Sequence, residues 1–293
     1  YGSYSGGIFV KEMDAESGMP LESGYGEKLL GGNHLRIEAP YVIYNEETGY
    51  YYMFLSFGGL DSDGGYNIRV CRSENPNGPY VDSMGQDMKD CKGPAGSAFS
   101  DATAEQYGTK LMGGYKFTWK EGEEGEDRKG YLSPGHNSCL YQEETGKYFI
   151  IYHTRFENSG ETHEVRVHQM FFNEEGWPVI APYRYTEESA EKLESKQLVG
   201  TYKYINHGRD ISPDMKESEE LVLNKNNTIS GALEGTWELS GDYNITIKTD
   251  EAEYKGIALK QWDEDGKKYV MTFTALDSKS GVVIWGSGLN AID

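Results

Sequence analysis

Residues 31–54 read GGNHLRIEAPYVIYNEETGYYYMF and place one carboxylic acid, Glu38, just before a segment rich in aromatic residues. Two glycines lead towards Glu38, and Pro40 follows it closely, which biases Ala39 towards extended geometry. Aromatic and β-branched residues lie on both sides of Gly49, which predicts two strands joined by a tight turn. Glu38 is therefore expected at the mouth of a strand, where side chains from several strands could converge on one centre.

The hairpin in this stretch occurs twice in the chain. Tyr44–Phe54 (YNEETGYYYMF) returns 97 residues later as Tyr141–Ile151 (YQEETGKYFII). Repeated hairpins of this kind, each with a Gly for the positive φ of the turn, predict blades of a propeller. The spacing exceeds one four-stranded blade of roughly 40–60 residues. We assign the excess to Gly85–Gly130, in which the acidic cluster Lys120–Asp127 is expected to be a solvated loop.

Two candidate site residues precede the two copies. Glu38 lies six residues before Tyr44, whereas His136 lies five residues before Tyr141. In a propeller the first strand of each blade lines the central channel, so both side chains should point near the axis. A mismatch of one residue reverses a side chain in a regular strand. Glu38 and His136 are therefore both expected in an irregular segment at the start of each hairpin.

The remaining pattern predicts an all-β chain, because short apolar or alternating runs are separated by Gly, Asn and Asp. Only Glu187–Gln197 favours a helix by composition, and it is expected to be a short connector. From about Leu198 onwards, short strands predict a small antiparallel barrel. The predicted organisation is part of a propeller domain in residues 1–186, a linker in 187–197 and a barrel domain in 198–293.

Composition narrows the class of partner. The chain of 293 residues has 48 acidic and 28 basic side chains and a net charge of −20, which argues against nucleic acid and membrane surfaces as partners. It has no apolar run of about 18 residues, so no membrane-spanning helix is predicted. The cysteines Cys71, Cys91 and Cys139 are odd in number and lack metal-ligand spacing. Buried free thiols are favoured over a Cys71–Cys91 bridge.

Several motifs together resemble glycoside hydrolase family 43, and most closely its two-domain arabinanases. They are Ile37–Tyr41 with the hairpin that follows, Ser133–Ser138, His153–Phe156 and His163–Gln169. The opening Tyr1–Ile8 is similar to a Gly-Ser-Phe-Trp-Ser/Gly-Gly-Ile stretch of that subfamily. The resemblance covers nearly the whole chain. It implies a five-bladed propeller and cleavage of α-1,5-linked L-arabinan with inversion of configuration.

By this resemblance Glu38 is the general acid. The family adds an Asp general base and a second Asp that tunes the pKa and orientation of the acid, and both would precede Tyr1. Inversion needs two carboxyl groups about 6.5–9.5 Å apart on opposite faces of the scissile bond. We therefore expect a preceding propeller segment to be missing from this chain, and the chain not to catalyse alone. On the residues alone, a single Glu before a strand is more often structural or solvated.

The resemblance also implies a metal, usually calcium, which His136 approaches largely through water in the central channel. Calcium prefers oxygen ligands. The residues alone therefore favour a hydrogen-bonded core histidine at this position.

Five further residues are expected to bind substrate: Tyr4, Asn33, His34, Phe57 and Arg155. Tyr4 and Phe57 offer aromatic faces for sugar rings, with core packing as the alternative. Arg155 could bond a sugar hydroxyl, with a local ion pair as the alternative. For Asn33 and His34 the alternative is a structural role in their loop.

Other functions stay open at this point. The absent Asp pair also fits a carbohydrate-binding propeller without catalysis, and a structural adhesion module is a third reading. Within the family, arabinofuranosidase or β-xylosidase specificity is the alternative to arabinanase. The expected partner is arabinan or an arabino-oligosaccharide, and the expected location is secreted or periplasmic.

Overall fold

The computed structural model describes residues 1–120, 123 and 129–292. The predicted solvated loop, Lys120–Asp127, lies mostly outside those residues and stays a prediction. The helices in the described residues are short: α1 (Asp101–Ala104), α2 (Ser195–Leu198) and a 3-10 helix at Met88–Asp90. The prediction of an all-β chain is confirmed.

The strands of the described residues form three open sheets and a closed barrel. The first sheet consists of β1 (Gly2–Ser3), β2 (Gly7–Val10) and β3 (Glu27–Leu30). The second consists of β4 (Ile37–Asn45), β5 (Tyr50–Phe57), β6 (Asn67–Ser73) and β7 (Thr109–Met112). The third consists of β8 (Tyr115–Lys116), β9 (Tyr131–Gln142), β10 (Lys147–Phe156), β11 (His163–Phe172), β12 (Pro178–Ile180) and β14 (Lys216–Glu217). The barrel consists of β13 (Gly200–Asn206), β15 (Glu219–Leu223), β16 (Thr228–Gly231), β17 (Gly235–Ser240), β18 (Asn244–Lys248), β19 (Glu253–Asp263), β20 (Lys268–Asp277) and β21 (Val282–Gly288).

The second and third sheets each contain one copy of the repeated hairpin, β4–β5 in the second and β9–β10 in the third. Gly49 has φ +73° and Gly146 has φ +67°, so each supplies the left-handed residue of its turn. In both copies the turn glycine donates its N–H across the turn, to Asn45 O and to Gln142 O at 2.9 Å. The prediction of a partial propeller followed by an antiparallel barrel is confirmed.

The first hairpin has a β-bulge beside Glu38. Glu38 pairs with Ser56 and Tyr41 pairs with Phe54, so β4 has one more residue than β5 between these pairs. Ala39 sits in the bulge with φ +52°. The expectation that Ala39 is extended was therefore wrong, because the local geometry of the bulge overrides the bias from the proline that follows.

The second hairpin has a bulge at the corresponding place. The extra residue of β9 lies between Gly135 and Ser138. His136 has φ +49°, and it stands 97 residues after Ala39, the same offset as the hairpins. The structural counterpart of Glu38 is thus Gly135, and His136 is the bulge residue itself. The prediction that Glu38 and His136 both lie in irregular segments is confirmed.

The predicted connector helix is much shorter than its composition suggested. Glu187 has φ +74°, which is incompatible with a right-handed helix, and only Ser195–Leu198 is helical. A capping box supports this turn, since the side chains of Glu194 and Gln197 each bond the other residue's backbone. The domain boundaries proposed above stay predictions.

The hydrophobic core is continuous from the blades into the barrel. One buried cluster contains Phe54 and Ile150 from the blades together with Ile257 and Trp285 from the barrel. Full burial of such side chains is worth about 1.5–3 kcal/mol each. The barrel is therefore packed against the blades rather than tethered beside them.

The three cysteines are buried and free, as predicted. Burial raises the pKa of the Cys91 thiol to about 12, so it stays protonated at neutral pH. Separately, none of the helices in the described residues is both long and apolar enough to cross a membrane.

Candidate active site

Glu38 lies at the start of β4 with its carboxyl group mostly shielded; 18% of the side chain is exposed. Tyr66 Oη donates to Glu38 Oε1 at 2.6 Å, and Ser3 Oγ donates to Oε2 at 3.2 Å. His136 Nδ1 lies 3.8 Å from Oε1. The short bond from Tyr66 fixes one carboxyl oxygen, and the longer contact leaves the other less constrained.

The glycine that corresponds to Glu38 makes room for Tyr66. A Cβ atom at Gly135 would lie 2.1 Å from Tyr66 Cδ1, so no larger residue fits there without moving the ring. Burial, followed by the hydrogen bond with Glu38, raises the pKa of Tyr66 far above its usual value. Tyr66 therefore keeps its proton and remains a donor to the carboxyl group.

His136 presents its ring to solvent, with 64% of the side chain exposed. Its backbone N–H donates to Ser56 Oγ at 2.8 Å, and Ser56 Oγ donates to Asn137 Oδ1 at 3.1 Å. These bonds hold the bulge without using the imidazole. The alternative of a hydrogen-bonded core histidine was therefore wrong, because the ring is not in the core.

His153 lies between the rings of Tyr66 and His136. The ring centroids are 6.0 Å and 6.2 Å apart, and the planes are inclined by 23° and 21°. Burial, together with Arg155 and the neighbouring histidines, lowers the pKa of His153 to about 4. This ring is therefore neutral at the pH of most biological fluids and adds no positive charge behind the acid.

The described residues do not form a calcium cage. Among residues 1–120, 123 and 129–292, no three His, Cys, Asp or Glu side chains are arranged to hold a metal ion. Calcium takes about six to eight oxygen ligands, whereas the side chain of His136 offers only imidazole nitrogens. The residues present fit at most a contact through water.

Of the predicted substrate residues, Tyr4 lies near the acid, while Asn33 and His34 are exposed in the loop that leads into β4. Tyr4 is partly buried and donates to Gly58 O at 3.0 Å, while burial and then Glu38 raise its pKa to about 12. Asn33 is exposed, but its amide donates to Gly93 O at 2.7 Å. His34 is exposed with φ +56°. Their roles in binding stay predictions.

The structure does not support substrate contact by Phe57 or Arg155. Phe57 is fully buried, and the guanidinium of Arg69 lies over its ring at 4.9 Å. Stacking of Phe57 on a sugar was therefore a wrong expectation, because β5 is an inner strand covered on both faces. Arg155 is buried and its Nε pairs with Glu161 at 2.7 Å, which agrees with the alternative of a local ion pair.

Two residues had no signal in the sequence: Tyr66, which contacts the acid, and Phe99, which contacts Tyr4. Tyr66 lies 28 positions from Glu38 in a loop whose path the sequence does not reveal. Phe99 is 60% exposed, meets Tyr4 edge to face at 6.5 Å and lies 5.8 Å from the Arg36 guanidinium. It belongs to Gly85–Gly130, the segment to which we assigned the residues in excess of one blade, and nothing in that segment indicates a place beside Tyr4.

Two family models match the chain in tandem. The model for glycosyl hydrolases family 43 matches residues 4–178, and that for a C-terminal lipocalin-like domain matches residues 182–286. The first range contains both repeated hairpins with Glu38 and His136, and the second contains the barrel strands except the last two residues of β21.

Close similarity to characterised sequences extends over almost the whole chain. It is 54% identical over 288 residues to the extracellular endo-α-(1→5)-L-arabinanase 2 of Bacillus subtilis, covering 98% of this chain and 60% of the relative. It is 49% identical over 292 residues to the extracellular endo-α-(1→5)-L-arabinanase of Thermotoga petrophila, again covering 98% and 60%. The crystal structure of a family 43 glycoside hydrolase from Bacillus licheniformis matches with a TM-score of 0.94 and 52% identity, covering 99% of this chain and 64% of that one. The chain thus spans about 60% of the length of these two curated relatives.

Proposed function

The chain belongs to glycosyl hydrolase family 43, and on that premise we propose that the intact protein is an endo-acting arabinanase that cleaves α-1,5-linked L-arabinan. The names of the two similar proteins support both the substrate and the endo action. One observation carries the proposal for this chain. A shielded carboxyl group, Glu38, is held at 2.6 Å by Tyr66 beside the exposed ring of His136.

We assign Glu38 the role of general acid in an inverting hydrolysis. Its carboxyl proton passes to the glycosidic oxygen while the bond from that oxygen to the anomeric carbon breaks. A water molecule attacks the anomeric carbon from the opposite face, and a general base accepts the proton that this water loses. Because Tyr66 donates to Oε1, Oε2 is the oxygen from which the proton would leave.

The general base is proposed to be an Asp, with a second Asp close to the acid, as in the family. We place both in sequence that precedes Tyr1 in the intact protein, which is in keeping with the greater length of the relatives. In the described residues, the carboxyl group of Glu38 contacts two hydroxyl groups and an imidazole. The two Asp carboxylates are therefore proposed to come from outside these residues.

A calcium ion beside His136 is also proposed. The exposure of the ring and the distance of 3.8 Å from its Nδ1 to the Glu38 carboxyl group support this proposal. A cation there would interact with the carboxyl group electrostatically. The remaining ligands would have to be water or residues outside this chain. Secretion is proposed as well, since both similar proteins are named as extracellular.

The test is hydrolysis of linear α-1,5-arabinan by the intact protein. We expect short arabino-oligosaccharides with inverted anomeric configuration at the new reducing end, detected by NMR during the first minutes. Release of arabinose alone would contradict endo action. Preferential cleavage of xylan would indicate a sister specificity, and binding without any cleavage would indicate a carbohydrate-binding propeller.

A further inference from the structure

The loop that presents Tyr66 to Glu38 is in contact with the barrel domain. This active-site loop, Gly58–Tyr66, joins β5 to β6, and Tyr66 is its last residue. A segment of the barrel domain, residues 207–218, leaves the barrel after β13, runs across the blades and returns at β15. Its strand β14 pairs in parallel with β8 of the third sheet. We call this segment the β13–β15 connection.

Both ends of the active-site loop touch the β13–β15 connection closely. A Cβ atom at Gly58 would lie 3.0 Å from Ile211 Cγ2, and one at Gly65 would lie 2.9 Å from the carbonyl carbon of Ser212. Ile211 also packs against the buried cluster that contains Phe57. The two glycines therefore allow the connection to lie directly against the loop.

A buried hydrogen-bond relay joins the same two segments. Arg69 is fully buried and donates through Nη2 to Arg209 O of the connection and through Nε to Asn67 Oδ1 at 2.8 Å. Asn67 Nδ2 in turn donates to Phe57 O at 3.0 Å and to Gly65 O at 2.9 Å. A buried guanidinium needs its donors satisfied. The position of the connection is thus coupled to both ends of the loop.

The tip of the loop is fixed separately by the neighbouring blade. Glu161 accepts from the backbone N–H of Ser62 at 3.1 Å and from its hydroxyl at 2.6 Å. Ser133 Oγ donates to Asp61 O at 2.6 Å. Arg155 supports this arrangement by its ion pair with Glu161. The blades hold the tip, whereas the barrel domain holds the two ends.

We propose that the barrel domain positions the general acid: through Ile211 and the Arg69–Asn67 relay, the β13–β15 connection sets the place from which Tyr66 bonds Glu38. Tyr66, Asn67 and Ile211 are positioning residues and not catalytic ones. The proposal rests on the proposed function of Glu38 and deepens it, because it gives the barrel domain a part in catalysis.

The test compares Ile211→Ala with Ile245→Ala in the intact protein. Ile245 is buried in the barrel, 1% exposed, and belongs to a different hydrophobic cluster from the one against which Ile211 packs. Two substrates are used: linear arabinan, whose leaving group needs a proton, and a 4-nitrophenyl α-L-arabino-oligosaccharide, whose leaving group needs it much less. A displaced acid slows the first reaction more than the second.

We expect Ile211→Ala to lower kcat on arabinan about tenfold, with a much smaller effect on the aryl substrate. Ile245→Ala should lower the melting temperature without this difference between substrates. Tyr66→Phe should give the same signature, and adding Ile211→Ala to it should cause little further loss, because both changes act through one hydrogen bond. Equal losses on both substrates, or fully additive losses in the double variant, would overturn the proposal.

Amide hydrogen exchange supplies a readout that does not depend on activity. In Ile211→Ala the amides of the active-site loop should exchange about tenfold faster, while those of Ile245→Ala stay as in the parent. Unchanged exchange in the loop would overturn the support by the barrel, whatever the activity. The parent protein could fail to cleave arabinan while Ile211→Ala still speeds amide exchange in the active-site loop. That outcome would refute the proposed function but would retain the inference that the barrel domain supports the loop.

Discussion

Tyr66 occupies the space that a side chain at Gly135 would need: its Cδ1 lies 2.1 Å from the Cβ position of that glycine. Gly135 is the counterpart of Glu38 in the second hairpin, as the pairing of both strands shows. The first copy of the repeat thus carries the acid, Glu38. The second copy has a glycine at the equivalent position, which leaves room for the ring of Tyr66, the donor to the acid.

This relationship predicts the effect of Gly135→Ala. Tyr66 is 1% exposed and cannot turn into solvent, so the added methyl group must displace the ring. We expect kcat on arabinan to fall about tenfold or more, and the free energy of unfolding to fall by about 1–3 kcal/mol. Activity assays and urea unfolding measure the two effects.

Gly6→Ala is the matched control for this substitution. The nearest atom to a Cβ at Gly6 is Phe9 Cε2 at 3.6 Å, an ordinary contact, and Gly6, like Gly135, needs no positive φ. Its activity and stability should stay close to those of the parent. Full activity of Gly135→Ala would show that the Tyr66 bond is unimportant for the acid.

Replacing the acid itself by its amide gives a second prediction. Glu38→Gln keeps the shape of the side chain and an acceptor for Tyr66 but has no proton to transfer. We expect kcat on arabinan to fall by about 10²–10⁴, with a smaller fall on a 4-nitrophenyl substrate. Binding of arabino-oligosaccharides, followed by calorimetry, should be retained. Unchanged hydrolysis of arabinan by this variant would remove Glu38 from the mechanism.

The repeated hairpin was enough to predict blades, because turn chemistry and strand composition are local properties. The glycines at 49 and 146, with the aromatic runs beside them, specify both hairpins without reference to the rest of the chain. The change of pattern after residue 198 likewise predicted the barrel, whose eight strands close on themselves. These features depend on neighbours in sequence, and they agree with the structure.

The site was less predictable, because its parts come from distant segments. The distances along the sequence from the two hairpins suggested that Glu38 and His136 are equivalent positions. The strand registers around the two bulges show instead that Gly135 is the equivalent of Glu38. A strand sequence does not tell which residue occupies a bulge. Phe57 was misjudged because exposure depends on what covers a strand, and here a buried Arg69 lies over the ring. The short strand β14 was missed since two residues carry no periodicity.

Removal of metal is a third prediction. If calcium lies beside His136, a chelator should lower the activity of the intact protein, and added calcium should restore it. His136→Ala should weaken calcium binding by about tenfold in calorimetry, the range seen when a supporting contact of a metal site is lost. His34→Ala, which changes another exposed imidazole, is the control and should leave calcium binding unchanged. Lack of calcium binding by the parent would refute the metal.

The dependence of stability on pH follows from buried neutral histidines. His168 is fully buried in β11 of the third sheet, where Ala181 O lies 2.8 Å from Nδ1 and Tyr152 Oη lies 2.9 Å from Nε2. A carbonyl oxygen only accepts, so Nδ1 carries the hydrogen and Nε2 accepts from the tyrosine. Burial lowers the pKa of His168 to about 4, from an ordinary value of 6.5.

The unfolded chain therefore binds more protons than the native protein between pH 6.5 and about 4. The contribution to stability is complete above pH 6.5 and is lost as the pH falls through this window. One such histidine gives a slope of at most about 1.4 kcal/mol per pH unit, and His153, whose pKa is also lowered, adds a slope of the same sign. Urea unfolding of the intact protein at several pH values should show this fall, and His168→Gln should reduce its slope. An equal slope in parent and His168→Gln would mean that protonation of this buried ring does not limit stability.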